Sequence, residues 1–269
     1  MRTSSINLYS KIKMNLIFLH NRTLKSILYV IFFVTFSSLF AQTPYYKVTY
    51  YISEIKLHGS IDNMDEKAQR FTEQIINRAK DVNYILTINK DYSFFESENF
   101  LSKENESSQE NMQLILAKRF ASFNEKVYAN HKKDSIVVIR DLGGVNYSVK
   151  RKNYVFNWVI KKENKKILGL DAMKAEGNYY DALTNKELKV EAWFIPSIPI
   201  QAGPDIFMDL PGLIAEVNLQ GAVVTVKKIE PITNIGIEKV DDSKAISQQE
   251  FESLIGDLTK KMENYNEDW

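Results

Sequence analysis

The sequence predicts an α+β protein that is mainly β: one curved antiparallel sheet with about three amphipathic helices packed against one face. Three observations predict it. Short β-branched and aromatic runs recur between turn-forming residues along most of the chain. Three segments instead repeat apolar residues every three or four positions. One apolar window near the C-terminal third holds four of the six prolines, and proline neither continues a helix nor serves a central strand.

The strands are expected in order. Tyr45 to Leu57 is the first run. Tyr84 to Asn89 and Tyr92 to Glu96 flank Lys90-Asp91 as a hairpin, and Ile136 to Arg140 and Val145 to Val149 flank Asp141-Leu142-Gly143-Gly144, where glycine supplies the positive φ of hairpin turns. Tyr154 to Ile160, Ile167 to Gly177 and Glu187 to Phe194 continue the series, and Leu213 to Leu219 joins Ala222 to Ile229 through Gln220-Gly221. Consecutive hairpins favour an antiparallel sheet over βαβ units. A half-barrel of the lipoprotein-carrier kind is the nearest analogue, at the level of fold only.

The helices have their own marks. Met64, Ala68, Phe71, Ile75 and Ile76 form a stripe between Asp62 and Lys80. Met112, Ile115, Leu116, Phe120 and Phe123 form another after Ser107-Ser108-Gln109-Glu110, which reads as a capping box with Ser107 as cap. Ser247-Gln248-Gln249-Glu250 is a second capping box. It opens a stripe of Phe251, Leu254, Ile255, Leu258 and Met262 that is expected to pack on the sheet.

The N-terminus reads as a secretory signal peptide over residues 1–41. Arg22 and Lys25 precede an apolar core from Ile27 to Val34, and Ala41 stands at the cut. The alternative is a retained anchor, and Met14 competes with Met1 as the start. Residues 42–269 are expected to form a single domain, with a periplasmic or cell-envelope location. The cysteine count is zero, so no lipid can be attached at a lipoprotein cysteine and no disulfide helps the fold. Of 35 basic residues five fall in the first 41, which hold no acidic residue; the remainder carries 30 basic against 34 acidic residues. That balance argues against a nucleic-acid partner. Membrane contact is expected only through an uncleaved N-terminal segment.

The usual catalytic constellations are missing. His58 and His131 lie far apart and belong to no metal-ligand spacing, so both read as surface residues and no metal is expected. There is no Gly-x-Ser-x-Gly elbow, no thiol and no phosphate-binding glycine loop, so no cofactor is expected. Glu96/Glu98 and Asp241/Asp242 are carboxylate pairs whose plain reading is solvated surface. The many strand aromatics read as sheet packing, with an aromatic-lined ligand face as the rival.

The proline-rich window carries a resemblance. Ala192-Trp193-Phe194, Ile198-Pro199-Ile200, Gly203-Pro204, Phe207 and Asp209-Leu210-Pro211-Gly212-Leu213-Ile214 resemble the signature of the GLPGLI family, exported proteins of Gram-negative bacteria named for that hexapeptide. Asp209 replaces the first glycine. Ala172 stands where the preceding strand of the family commonly has Cys, and Asn185-Lys186 replaces its Gly-Arg turn. The resemblance implies an exported envelope protein of unassigned biochemical role. The signature residues Trp193, Pro199, Gly203, Pro204, Phe207, Leu210, Pro211, Gly212, Leu213 and Ile214 are expected either to plug the core or to form a partner-binding lip. Together these readings point to a non-catalytic binding or assembly module for an apolar ligand or an envelope protein. The alternatives are a hydrolase whose site assembles only in three dimensions and a surface structural protein.

Overall fold

The computed structural model describes residues 45–57, 59–98, 108–124, 126–142, 144–181, 186–232 and 242–267. They form one open, curved sheet of twelve strands: β1 Tyr45–Ile55, β2 Asn83–Ile88, β3 Tyr92–Ser97, β4 Lys126–Asn130, β5 Ser135–Leu142, β6 Val145–Lys152, β7 Val159–Ile167, β8 Leu170–Asp181, β9 Lys186–Ile195, β10 Leu213–Asn218, β11 Ala222–Ile232 and β12 Ile246–Ser247. Three helices accompany them: α1 Glu66–Ala79, α2 Ser108–Ala121 and α3 Gln248–Glu267. Strand order is β12-β6-β5-β4-β3-β2-β1-β11-β10-β9-β8-β7. All neighbours are antiparallel except β12, which runs parallel to β6 and makes the sheet mixed at that edge. The sheet is not a closed barrel. The predicted signal peptide and the Ser107 cap lie outside the described residues.

One face of the sheet is the core. Tyr50, Ile52, Tyr84, Leu86, Phe95, Phe194 and Val224 are all but fully buried on it. Tyr50 donates from its hydroxyl to the Ile214 carbonyl at 2.7 Å, and burial holds that phenol well above its usual range. Helices α1 and α2 cover this face near β1 and β11. The segment 153–158 and the signature loop 196–212 add to the same buried cluster beside β8 to β10.

Several expected elements shift. Tyr154 to Trp158 is irregular rather than strand: Tyr154, Phe156 and Trp158 fold inward as a stack of rings, and β7 begins at Val159. Strand β7 is Lys-rich and carries a bulge, as suits a sheet edge that must not recruit another strand. A tight turn at Leu168-Gly169 splits the expected Ile167 to Gly177 run.

The helix stripes also differ. Asp65 caps α1 by accepting from the amides of Lys67 and Ala68, so Met64 precedes the helix. In α2 the buried residues are Gln113, Leu114, Ala117 and Ala121, while Met112 and Ile115 face water. Alanines at the contact let the helix lie close to the sheet. The capping box of α3 is present: Ser247 Oγ accepts from the Glu250 amide at 3.2 Å and Glu250 accepts from the Ser247 amide at 2.6 Å. Of the four stripe residues from Phe251 to Leu258 only Phe251 is buried, against the Tyr147 ring; Leu254 and Leu258 are 37% and 41% exposed and do not pack on the sheet.

Candidate functional site

The opposite face of β7 to β11 is polar and open. Cross-strand partners project to the same side of a sheet, and the register sets them in rows. Val159, Glu176, Glu191 and Asn218 form one row across β7, β8, β9 and β10. Lys174, Trp193, Glu216 and Thr225 form the next row across β8 to β11. Asn178 and Lys189 flank the first row on its other side.

These rows are tied together by charge. Lys174 lies 2.9 Å from Glu191, 3.3 Å from Glu163 and 3.6 Å from Glu176. Its bond to Glu191 above all holds the ammonium well above the ordinary lysine range. The Lys161 bond, at 2.9 Å, holds the Glu176 carboxyl down. At Glu191 burial opposes ionisation, yet bonds from Lys174 and neighbours still lower its pKa. Lys165 reaches from β7 over the Trp193 ring, 4.3 Å from its centroid, to Glu216 at 2.6 Å. Thr225 donates to Glu216 at 3.1 Å and shares a 2.8 Å bond with the Ser53 hydroxyl.

A cavity of about 530 Å³ opens beside the first row, lined by Asn157, Lys161, Glu176, Asn178, Lys189, Glu191, Asn218 and Gln220 with Val159, Val190 and Leu219. Asn218 also accepts from Lys56. The lining is amides, amines and carboxylates around a few aliphatic groups. Lys189 has no ion pair among the described residues and is exposed.

The signature residues lie beside it, mostly on the core side. Trp193, Gly203, Pro204, Phe207, Leu210, Gly212, Leu213 and Ile214 are buried; Pro199 and Pro211 face solvent. Phe207 packs against Phe156, Tyr179 and Phe123, with ring centroids at 5.3, 5.8 and 6.3 Å. The Trp158 indole donates to the Met208 carbonyl at 2.9 Å. A Cβ on Gly203 would meet Ile214 Cβ at 2.6 Å, and one on Gly212 would meet the Ile195 carbonyl oxygen at 2.4 Å, so close approach requires both glycines. Asp209, which replaces the family's first glycine, sits at φ +71°, a conformation that glycine and, less readily, aspartate adopt. Ala172 is fully buried, and Asn185 lies outside the described residues.

One charged group lies inside this loop, and the sequence patterns above did not single it out. Asp205 is 7% exposed, at φ +55°, and its Oδ1 accepts from the side-chain amide of Asn124 at 2.6 Å and from the Asn124 backbone at 3.2 Å. Burial pushes its carboxyl up to about 6, against the pull of the Asn124 bonds and the Arg140 charge. The signal in the sequence was an acid directly after Gly-Pro in an apolar window. Asp205 lines a smaller cavity of about 140 Å³ that shares Lys189, Leu219 and Gln220 with the larger one.

The remaining candidates stay apart. His131 is a correction: it is half-buried in its turn, burial lowers its pKa, and its Nε2 is buried without a hydrogen-bond partner. His58 and Asp241 lie outside the described residues. Glu96 is 3.7 Å from Lys126, Glu98 accepts from Asn83 at 2.8 Å, and Asp242 is 2.6 Å from Lys150, so each acid is engaged separately. Among the described residues no group of three metal-ligating side chains meets, and no helix is long and apolar enough to cross a membrane.

Fold and site together define a mainly-β protein with an open sheet, one face plugged and the other polar and cleft-bearing. Residues 161–216, from β7 into β10, match the model of a family described as protein of unknown function (Porph_ging). The match spans most of the region that resembles the GLPGLI signature and is consistent with it. No curated protein matches the chain. Among solved structures the chain is similar to PNGF-II in C2 and P21 crystal forms, at 15% identity with TM-scores of 0.45 and 0.47. The likeness covers 76% and 79% of this chain but 30% and 33% of those chains. The chain thus spans about a third of their length, and so distant a likeness says nothing of activity.

Proposed function

We propose that the protein is exported by the segment 1–41 and works in the periplasm or cell envelope as a non-catalytic binding or assembly module, its partner an envelope protein seated on the outer face of β7 to β10. The observation that carries this is the 530 Å³ cleft, with amide side chains and the exposed Lys189 around a few aliphatic groups. Such a mixture matches the polar, hydrogen-bonding character of protein interfaces. The apolar-ligand reading draws little support from the core face, where Phe207, Leu210 and Leu213 fill the space beneath the loop.

The hydrolase reading has one observation in its favour: Lys161 and Glu176 meet at 2.9 Å within the cleft. A general base works best with a pKa near the operating pH. Glu176 is held below the ordinary carboxylate range, which suits an ion pair better than proton transfer.

The test is capture from envelope extracts by the parent protein and by the double variant Asn178→Ala/Lys189→Glu. A protein retained by the parent and lost by the variant is the expected result. Identical capture by both removes the outer face from consideration.

A further inference from the structure

We propose that the 140 Å³ cavity beside Asp205 takes an organic cation, the ammonium or guanidinium end of a single Lys or Arg side chain on the partner polypeptide. The inference rests on the protein-partner reading of the outer face and names the feature that face would recognise.

Three features of the cavity favour positive charge. The first is the Asp205 carboxylate, which keeps acceptor capacity beyond its bonds to Asn124 and the Ile206 amide. The second is the C-terminus of α2. Phe120, Ala121 and Ser122 line the cavity, and the last carbonyls of a helix carry its partial negative charge. The third is aromatic: Phe123, Phe207 and Tyr179 present ring surface, which attracts ammonium and guanidinium groups.

Size and access select the ligand further. At about 30 Å³ per water-sized group, the cavity has room for roughly four or five non-hydrogen atoms, the end of a basic side chain rather than a whole residue. Lys189, Leu219 and Gln220 line both cavities. The outer cleft and the smaller cavity therefore adjoin at these three residues, which places Asp205 behind the rim of the outer cleft.

Two resident cations bear on the site, and neither fills it. Arg140 acts on Asp205 from a distance. Its guanidinium is engaged 3.4 Å from the Tyr154 hydroxyl and 6.0 Å from the Phe251 ring centroid, and it does not line the cavity. Lys189 stands exposed at the shared rim without an ion pair to Asp205 among the described residues.

The experiment titrates the purified protein at pH 7.5 with the N-acetyl methylamides of lysine, arginine and norleucine, following the Asn124 side-chain amide and the Phe207 ring by NMR. The expected result is saturable shifts with lysine or arginine and at least ten-fold weaker binding of norleucine. Asp205→Asn should weaken lysine binding at least ten-fold. Lowering the pH to 5, a unit below the about 6 at which the carboxyl titrates, should do the same. Leu188→Trp leaves the carboxylate in place and narrows the cavity that Leu188 lines, so it decides the matter should Asp205→Asn fail to fold. Equal binding of norleucine, or unchanged lysine binding in either variant, overturns the proposal. If an envelope protein is still captured through the outer face while no amine binds, this inference falls and the outer-face reading stands.

Discussion

Asp205 of the signature loop accepts a 2.6 Å hydrogen bond from the side-chain amide of Asn124, the residue two positions before β4. This bond fastens a loop inserted between β9 and β10 to the far half of the sheet. It also holds a carboxylate away from water, which gives the loop a dependence on pH.

Stability should carry that dependence with an unusual sign. Asp205 has a folded pKa of about 6 against an ordinary 3.8, so between those values the native state binds more protons than the unfolded chain. Its contribution is therefore fully present at low pH and lost as pH rises through about 6. Two pKa units correspond to about 3 kcal/mol. Denaturant melts of the parent and Asp205→Asn at pH 7.5 and 4.5 should show the parent gaining about 2 kcal/mol relative to the variant at the lower pH, the rest appearing only below pH 3.8. Parallel curves would show that the carboxylate is not buried as described.

Phe207→Ala should destabilise strongly, since Phe207 is 2% exposed and touches three other rings. Such truncations cost about 3–5 kcal/mol, or roughly 10 °C in a domain of this size. Calorimetry checks it against Pro211→Ala, an exposed signature position expected within about 0.5 kcal/mol of the parent. A Phe207→Ala variant that melts like the parent would mean the loop is not a plug.

The hexapeptide departure gives a third expectation. At φ +71° glycine is comfortable, aspartate tolerable and a β-branched residue strained. Asp209→Gly should stay within about 1 kcal/mol of the parent, while Asp209→Val should cost about 1–2 kcal/mol. Chemical denaturation midpoints distinguish the two.

Ser247→Ala should cost about 1 kcal/mol locally, because the hydroxyl accepts from the Glu250 amide and donates to the Glu250 carboxylate at 2.8 Å. Hydrogen exchange at Glu250 and Phe251 is the measurement, with faster exchange in the variant.

These positions show what the sequence could reveal. The hairpins around Lys90-Asp91, Gly143-Gly144 and Gln220-Gly221 were legible because alternation and turn chemistry coincide there. Burial of Trp193, Phe207, Leu210 and Leu213 followed from the cost of exposing an apolar loop. Strand β7 was hidden because an edge strand is written in lysines, and β4 because Lys126–Asn130 is short. In α2 the stripe misled, since small Ala117 and Ala121 rather than bulky Met112 and Ile115 set the contact. The outer rows depend on the register among β7 to β11, and the Asp205 cavity on contacts between residues about eighty positions apart. No local pattern carries either.

The register that sets Tyr45 opposite Ile232 has a consequence for how the chain reaches its native state. Strand β1 lies at the middle of the sheet, with β2 on one side and β11 on the other. The first strand to emerge during synthesis must therefore keep half of its ladder vacant until nearly the whole polypeptide has followed. Long-range pairing of this kind is slow, so the two halves of the sheet join late, after the sequence-local hairpins on either side of β1 have had time to form.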